Sequence, residues 1–136
     1  MRLPGTLATA LALTTLAMAP AMAADWSCGP ESKLNCIDGQ CEAEPPEVFS
    51  HAESFSFDSA GPTLGACLWT DCYEGPATLI GDGDSILAAG RMHGRPDNPS
   101  PVDVVLAIDA EGHFTAVWQL SGRGAVISGG RCTTSD

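Results

Sequence analysis

The sequence predicts an all-β fold: a single antiparallel meander of about seven short strands, forming a small barrel or sandwich, with a disulfide-stapled N-terminal arm. Three observations carry this. From residue 52 onward apolar residues recur with a period of two, the strand signal. The apolar runs are short and evenly separated by turns rich in Gly, Asp and Pro. After residue 23 no stretch keeps a 3.6-residue period for three turns.

Taken in order, residues 1–23 read as a secretory signal peptide. Arg2 gives a positive start, 7–19 is uncharged and apolar, and Ala21-Met22-Ala23 offers small residues for cleavage. The run is too short to span a bilayer, which needs about 20 apolar residues, so no membrane span is expected and the mature chain begins at Ala24. Cys28 lacks the small apolar box of a lipid-attachment site, and the reading is a soluble exported protein.

Residues 24–50 form a cysteine-rich arm and an acidic, Pro-rich connector. The arm has few apolar residues, Trp26, Leu34, Ile37, Val48 and Phe49, so bridges must hold it. Glu42, Glu44 and Glu47 around Pro45-Pro46 read as an extended, solvated connector. Residues 51–136 form the β domain. Strands are predicted at 54–58, 63–70, 77–80, 85–92, 102–108, 114–120 and 125–131. Gly81-Asp82-Gly83-Asp84, Asp109-Ala110-Glu111-Gly112 and Ser121-Gly122-Arg123-Gly124 are turns, since Asp and Gly tolerate positive φ. Short hairpin links make a meander the simplest topology. Seven strands must curl or stack to hide an apolar face.

Without residues 1–23 the chain holds 113 residues, which suits one domain. It then carries five basic and seventeen acidic residues, a net charge of −12. Such a charge repels nucleic acid and anionic membrane, and favours solubility or a basic protein partner. The charge is uneven: residues 25–84 hold twelve acids and one base, Lys33.

All six cysteines, Cys28, Cys36, Cys41, Cys67, Cys72 and Cys132, follow the cleavage site. An even count in a small exported chain reads as a disulfide framework, although fifteen pairings are possible. The Cys36-x4-Cys41 and Cys67-x4-Cys72 spacings lack the partner motifs of a zinc site. If Cys67 and Cys72 close their own loop, the three arm cysteines leave one over, and Cys132 must bridge to Cys28, Cys36 or Cys41.

Little in the sequence points to catalysis. There is no Gly-x-Ser-x-Gly elbow, and His51, His93 and His113 are far apart with no recognised partner. The Gly81–Asp84 turn fails the EF-hand pattern, because the twelfth residue from Asp82 is His93. Met92-His93 would suit copper, but no third ligand is evident and Met92 shares the side of Ile86 and Ala88. No cofactor is called for. Trp118 is in phase with Phe114 and Leu120 and reads as core. Trp69, in phase with Cys67, is expected to pack against a disulfide. Alternatively, 67–72 is a stapled loop presenting Leu68, Trp69 and Asp71 to a partner, with its binding entropy lowered by preorganisation.

Trp26-x-Cys28, Cys36 and Cys41 around Asp38-Gly39, and a β-rich body ending in Gly130-Arg131-Cys132 resemble small uncharacterised exported proteins of Gram-negative bacteria. The resemblance implies a periplasmic or secreted domain. The chain is also similar in size and all-β character to periplasmic inhibitors of lysozyme and of metalloproteases, without their inhibitory motifs. The expectation is a non-enzymatic, disulfide-stabilised binding domain, inhibitor-like in form. The alternative is a small envelope enzyme or metal-binding protein.

Overall fold

A computed structural model describes residues 25–44, 51–81, 85–97, 100–119 and 124–135. The expected signal peptide, the Pro45-Pro46 connector, most of the 81–84 turn and the 121–123 turn lie outside them. Among the described residues there is no helix, and hence no helix long and apolar enough to cross a membrane.

Nine strands follow one another: β1 (Asp25–Ile37), β2 (Gln40–Ala43), β3 (Ser54–Asp58), β4 (Thr63–Cys67), β5 (Cys72–Ile80), β6 (Ile86–Met92), β7 (Val102–Ile108), β8 (His113–Gln119) and β9 (Gly124–Ser135). From β3 to β9 each strand pairs antiparallel with the next, as a meander requires. β1 then pairs with both β3 and β9. That second pairing closes the sheet, so the choice between barrel and sandwich falls to an eight-stranded barrel, with β2 as an extra strand.

The seven strands expected from periodicity are β3 to β9. The count differs because the segment read as an arm is itself strand. β1 pairs along its whole length with β9, from Asp25↔Ser135 to Ile37↔Gly124. On its other edge it meets β3 at Asp25–Cys28 and β2 at Leu34–Ile37. Between those two stretches no strand among the described residues pairs with β1 on that edge. Pro30, which has no N–H to donate, lies there, and a bulge between Pro30 and Ser32 shifts the register. Gly130 faces Pro30, and a Cβ at Gly130 would fall on the carbonyl oxygen of Gly29.

The barrel interior is filled. β7 and β8 alternate strictly between buried and exposed. Val104, Leu106, Ile108, Phe114, Ala116 and Trp118 point inward. Phe55 packs on Phe114 at 5.7 Å between centroids, and Tyr73 meets Trp118 edge-on at 5.4 Å. Burying apolar area in this way is the main favourable term in folding, at about 25 cal/mol per Å2. An apolar interior is the reverse of a membrane-spanning barrel, whose inside is polar.

All three disulfides join register partners on neighbouring strands. Cys28–Cys132 staples β1 to β9, Cys36–Cys41 closes the β1–β2 hairpin, and Cys67–Cys72 closes the β4–β5 hairpin. Cys132 thus reaches back to one of the three cysteines expected. No cysteine is free. Three such bridges suit an oxidising, extracellular type of environment.

Candidate functional site: the stapled loop between β4 and β5

Cys67 and Cys72 are the last register pair of the β4–β5 hairpin, so their disulfide leaves a four-residue turn. The Leu68 N–H donates to the Asp71 carbonyl at 2.8 Å and tightens it. Up-and-down order puts this turn at the same end of the barrel as the segment joining β6 to β7. That segment supplies Arg95, whose Nη1 lies 3.3 Å from Asp71 Oδ1 and whose Nε lies 3.5 Å from Asp97.

The structure divides the three residues proposed for this loop. Leu68 is half-buried and packs against the core, so it anchors the turn. Asp71 holds Arg95 and ties the two loops together. Trp69 is 66% exposed. Most of the Trp69 surface therefore faces solvent. The two-residue alternation that put it in phase with Cys67 ends at Cys67, the last residue of β4, and does not extend through a turn. Trp69 and the exposed Arg95 are of the residue types that dominate binding hot spots.

The other candidates separate. Met92 is fully buried, while His93 is exposed and joins Glu74 through paired backbone hydrogen bonds of 3.0 Å. Neighbours on opposite faces of a strand do not make a copper pair. Trp118 is buried as expected, and Trp26 is half-buried against the core.

Two groupings escaped the sequence. His51 is wholly buried, its Nε2 bonded to the Glu44 carboxylate, itself nearly buried. Its Nδ1 is buried with no partner among the described residues. Nothing local marks His51, because its burial depends on a segment folding back along β1. The second grouping is Asp109, Glu111 and His113, whose ligand atoms lie within 4.8 Å of one another on the β7–β8 hairpin. All three are exposed. Asp109 Oδ1 accepts the backbone N–H groups of Glu111 and His113 at 3.0 and 2.8 Å, and its Oδ2 lies 3.2 Å from His113 Nδ1. The His113 N–H bond holds the Asp109 carboxyl below the usual range. The alternation Asp-x-Glu-x-His across a turn was the available signal. These contacts account for a well-closed hairpin.

Across β6 and β7, Arg91 grips Asp103 through two bonds of 2.8 and 3.0 Å. The hydrogen bond from Arg91 lowers the Asp103 carboxyl and raises the guanidinium.

Comparison with protein-family models, with curated proteins and with solved structures returns no match.

Proposed function

We propose that this protein is an exported binding domain of the periplasm or extracellular space, non-enzymatic, that docks a basic protein partner through the Trp69 loop. It belongs, on this reading, with the small exported Gram-negative proteins it resembles, its first 23 residues acting as a removed secretion signal. The observation that carries the reading is an exposed tryptophan on a four-residue turn closed by a disulfide. A large apolar side chain held at the tip of a stapled turn loses little entropy on binding. Arg95 alongside is paired with Asp71 and Asp97, so its charge is offset where a cationic partner would dock. Without its first 23 residues the chain carries a net charge of −12, which steers a cationic partner and speeds encounter.

The test compares wild-type protein with Trp69→Ala, each immobilised and exposed to envelope extract at low and high salt. A hot-spot tryptophan contributes at least about 2 kcal/mol, roughly thirtyfold in Kd. The reading expects a basic protein retained by wild type, released by salt, and lost with Trp69→Ala at unchanged Tm. Equal retention by the variant rejects the loop as the docking element.

A further inference from the structure

We infer that the Cys67–Cys72 bridge is a redox-sensitive latch: a dithiol reductant opens it in the folded protein and so loosens the turn that carries Trp69. The three disulfides differ in access. Cys28 is 1% exposed and belongs to the core, with Cys132 packed against it. Register pairs continue on both sides of their bridge, Ser27↔Thr133 and Gly29↔Arg131, so it is sealed inside the seam. Cys67 is half-buried and Cys72 is exposed. Thiol–disulfide exchange requires a thiolate to reach a disulfide sulfur, and exposed bridges are the labile, regulatory kind.

The bridges also differ in what surrounds them. Cys36 is half-buried and Cys41 exposed, so that bridge too is within reach. Opening it changes little. The Ile37↔Gln40 pair lies beyond it, and Asp38-Gly39, at φ 51° and 83°, closes the hairpin through the backbone. Cys67 and Cys72, by contrast, are the last register pair of β4 and β5. Past them the turn is held by the Leu68 N–H bond to the Asp71 carbonyl and by the Asp71–Arg95 pair. An exposed ion pair adds little order. Leu68 anchors one end on the core, and the bridge itself fixes the other.

The reductant is a dithiol of the class carried by Cys-x-x-Cys oxidoreductases. Its first thiolate attacks Cys72 Sγ, on the more exposed residue. A bond forms between those two sulfurs, the bridge breaks, and Cys67 leaves as a thiolate that takes up a proton. The second thiol of the reductant then attacks its own sulfur in the mixed disulfide, and Cys72 leaves in the same way. Two electrons pass to the protein. The dithiol becomes an internal disulfide, and its two protons end on Cys67 and Cys72. The Gly65↔Glu74 and Ala66↔Tyr73 pairs keep the two thiols opposite each other, so an oxidant can close the latch again. What the latch regulates rests on the Trp69 reading, because a loosened turn loses the preorganisation that favours docking. The opening itself does not rest on it.

The test exposes the folded, oxidised protein to graded dithiothreitol without denaturant. Free thiols are alkylated and mapped by mass spectrometry, and amide hydrogen exchange is followed in parallel. Cys67 and Cys72 should be alkylated while Cys28 and Cys132 stay joined until denaturant is added. Far-UV circular dichroism should not change. Exchange at the Leu68 amide should rise at least about tenfold, and oxidised glutathione should reverse it. Cys67→Ser with Cys72→Ser should show the fast Leu68 exchange with no response to reductant. These readouts use the isolated protein, so failure of the latch is distinguishable from failure of docking in the Trp69→Ala comparison. A Cys67–Cys72 bridge that resists until denaturant is added would overturn the inference. So would opening of Cys28–Cys132 at the same dithiothreitol concentration, or Leu68 exchange unchanged by opening of the latch.

Discussion

Trp69 and Trp118 put the same side chain at opposite extremes of exposure, 66% against 4%. Trp118 was legible because alternation holds within β8; Trp69 was not, because it sits in a turn. His51 was equally illegible, and it makes a sharp prediction. Removing the Glu44 carboxylate leaves a buried imidazole without its Nε2 partner. Glu44→Ala should therefore destabilise by about 1–3 kcal/mol, the cost of an unsatisfied buried polar group, read as a lower denaturation midpoint. Asp103 and Asp109 predict a pH effect. Both carboxyls are lowered in the folded protein. Their contribution is complete above the unfolded value of about 3.9 and is lost as pH falls through the lower folded values. Urea melts of wild type and Asp103→Asn should differ at neutral pH and converge as pH falls below the lowered folded value. A difference that grows on acidification would contradict the sign.

At the level of elements, period-two alternation located β3 to β9 because each buries one face. β5 begins at Cys72, five residues before the 77–80 that alternation predicts, because the strand runs through Gly75-Pro76. In the barrel Gly75 lets two backbones meet. A Cβ there would fall on the carbonyl oxygen of Arg91. Main chain cannot rotate aside, so Gly75→Ala should cost roughly 1–3 kcal/mol as overpacking. Gly29→Ala, with nothing within 4 Å, should cost far less; thermal melts of the two variants decide it. β1 was missed as a strand because its apolar residues are few and Gly29-Pro30 interrupts them. Its strandedness comes from pairing with β9, a contact between chain ends that no local pattern encodes. β2 ends in an exposed edge kept short and charged by Glu42, which discourages edge-to-edge aggregation.

For the whole molecule, sequence counting narrowed the cysteine pairs, while barrel closure could not be read locally because it depends on the β1–β9 seam. Cys28–Cys132 spans 104 residues. Chain-entropy arguments assign about 4–5 kcal/mol to closing such a loop and about 2 kcal/mol to the short Cys67–Cys72 loop. Cys28→Ala with Cys132→Ala should lower Tm by roughly 10 °C more than Cys67→Ala with Cys72→Ala. The Cys28–Cys132 bridge locks the barrel at that seam, the proposed function makes the barrel an exported one, and one mass measurement addresses both. Tryptic digestion of the exported protein without reductant cuts after Lys33 and Arg131. The predicted product is peptide 24–33 disulfide-linked to peptide 132–136, beginning at Ala24. A product that retains Met1, or Cys132 found free or joined to Cys67 or Cys72, would contradict it.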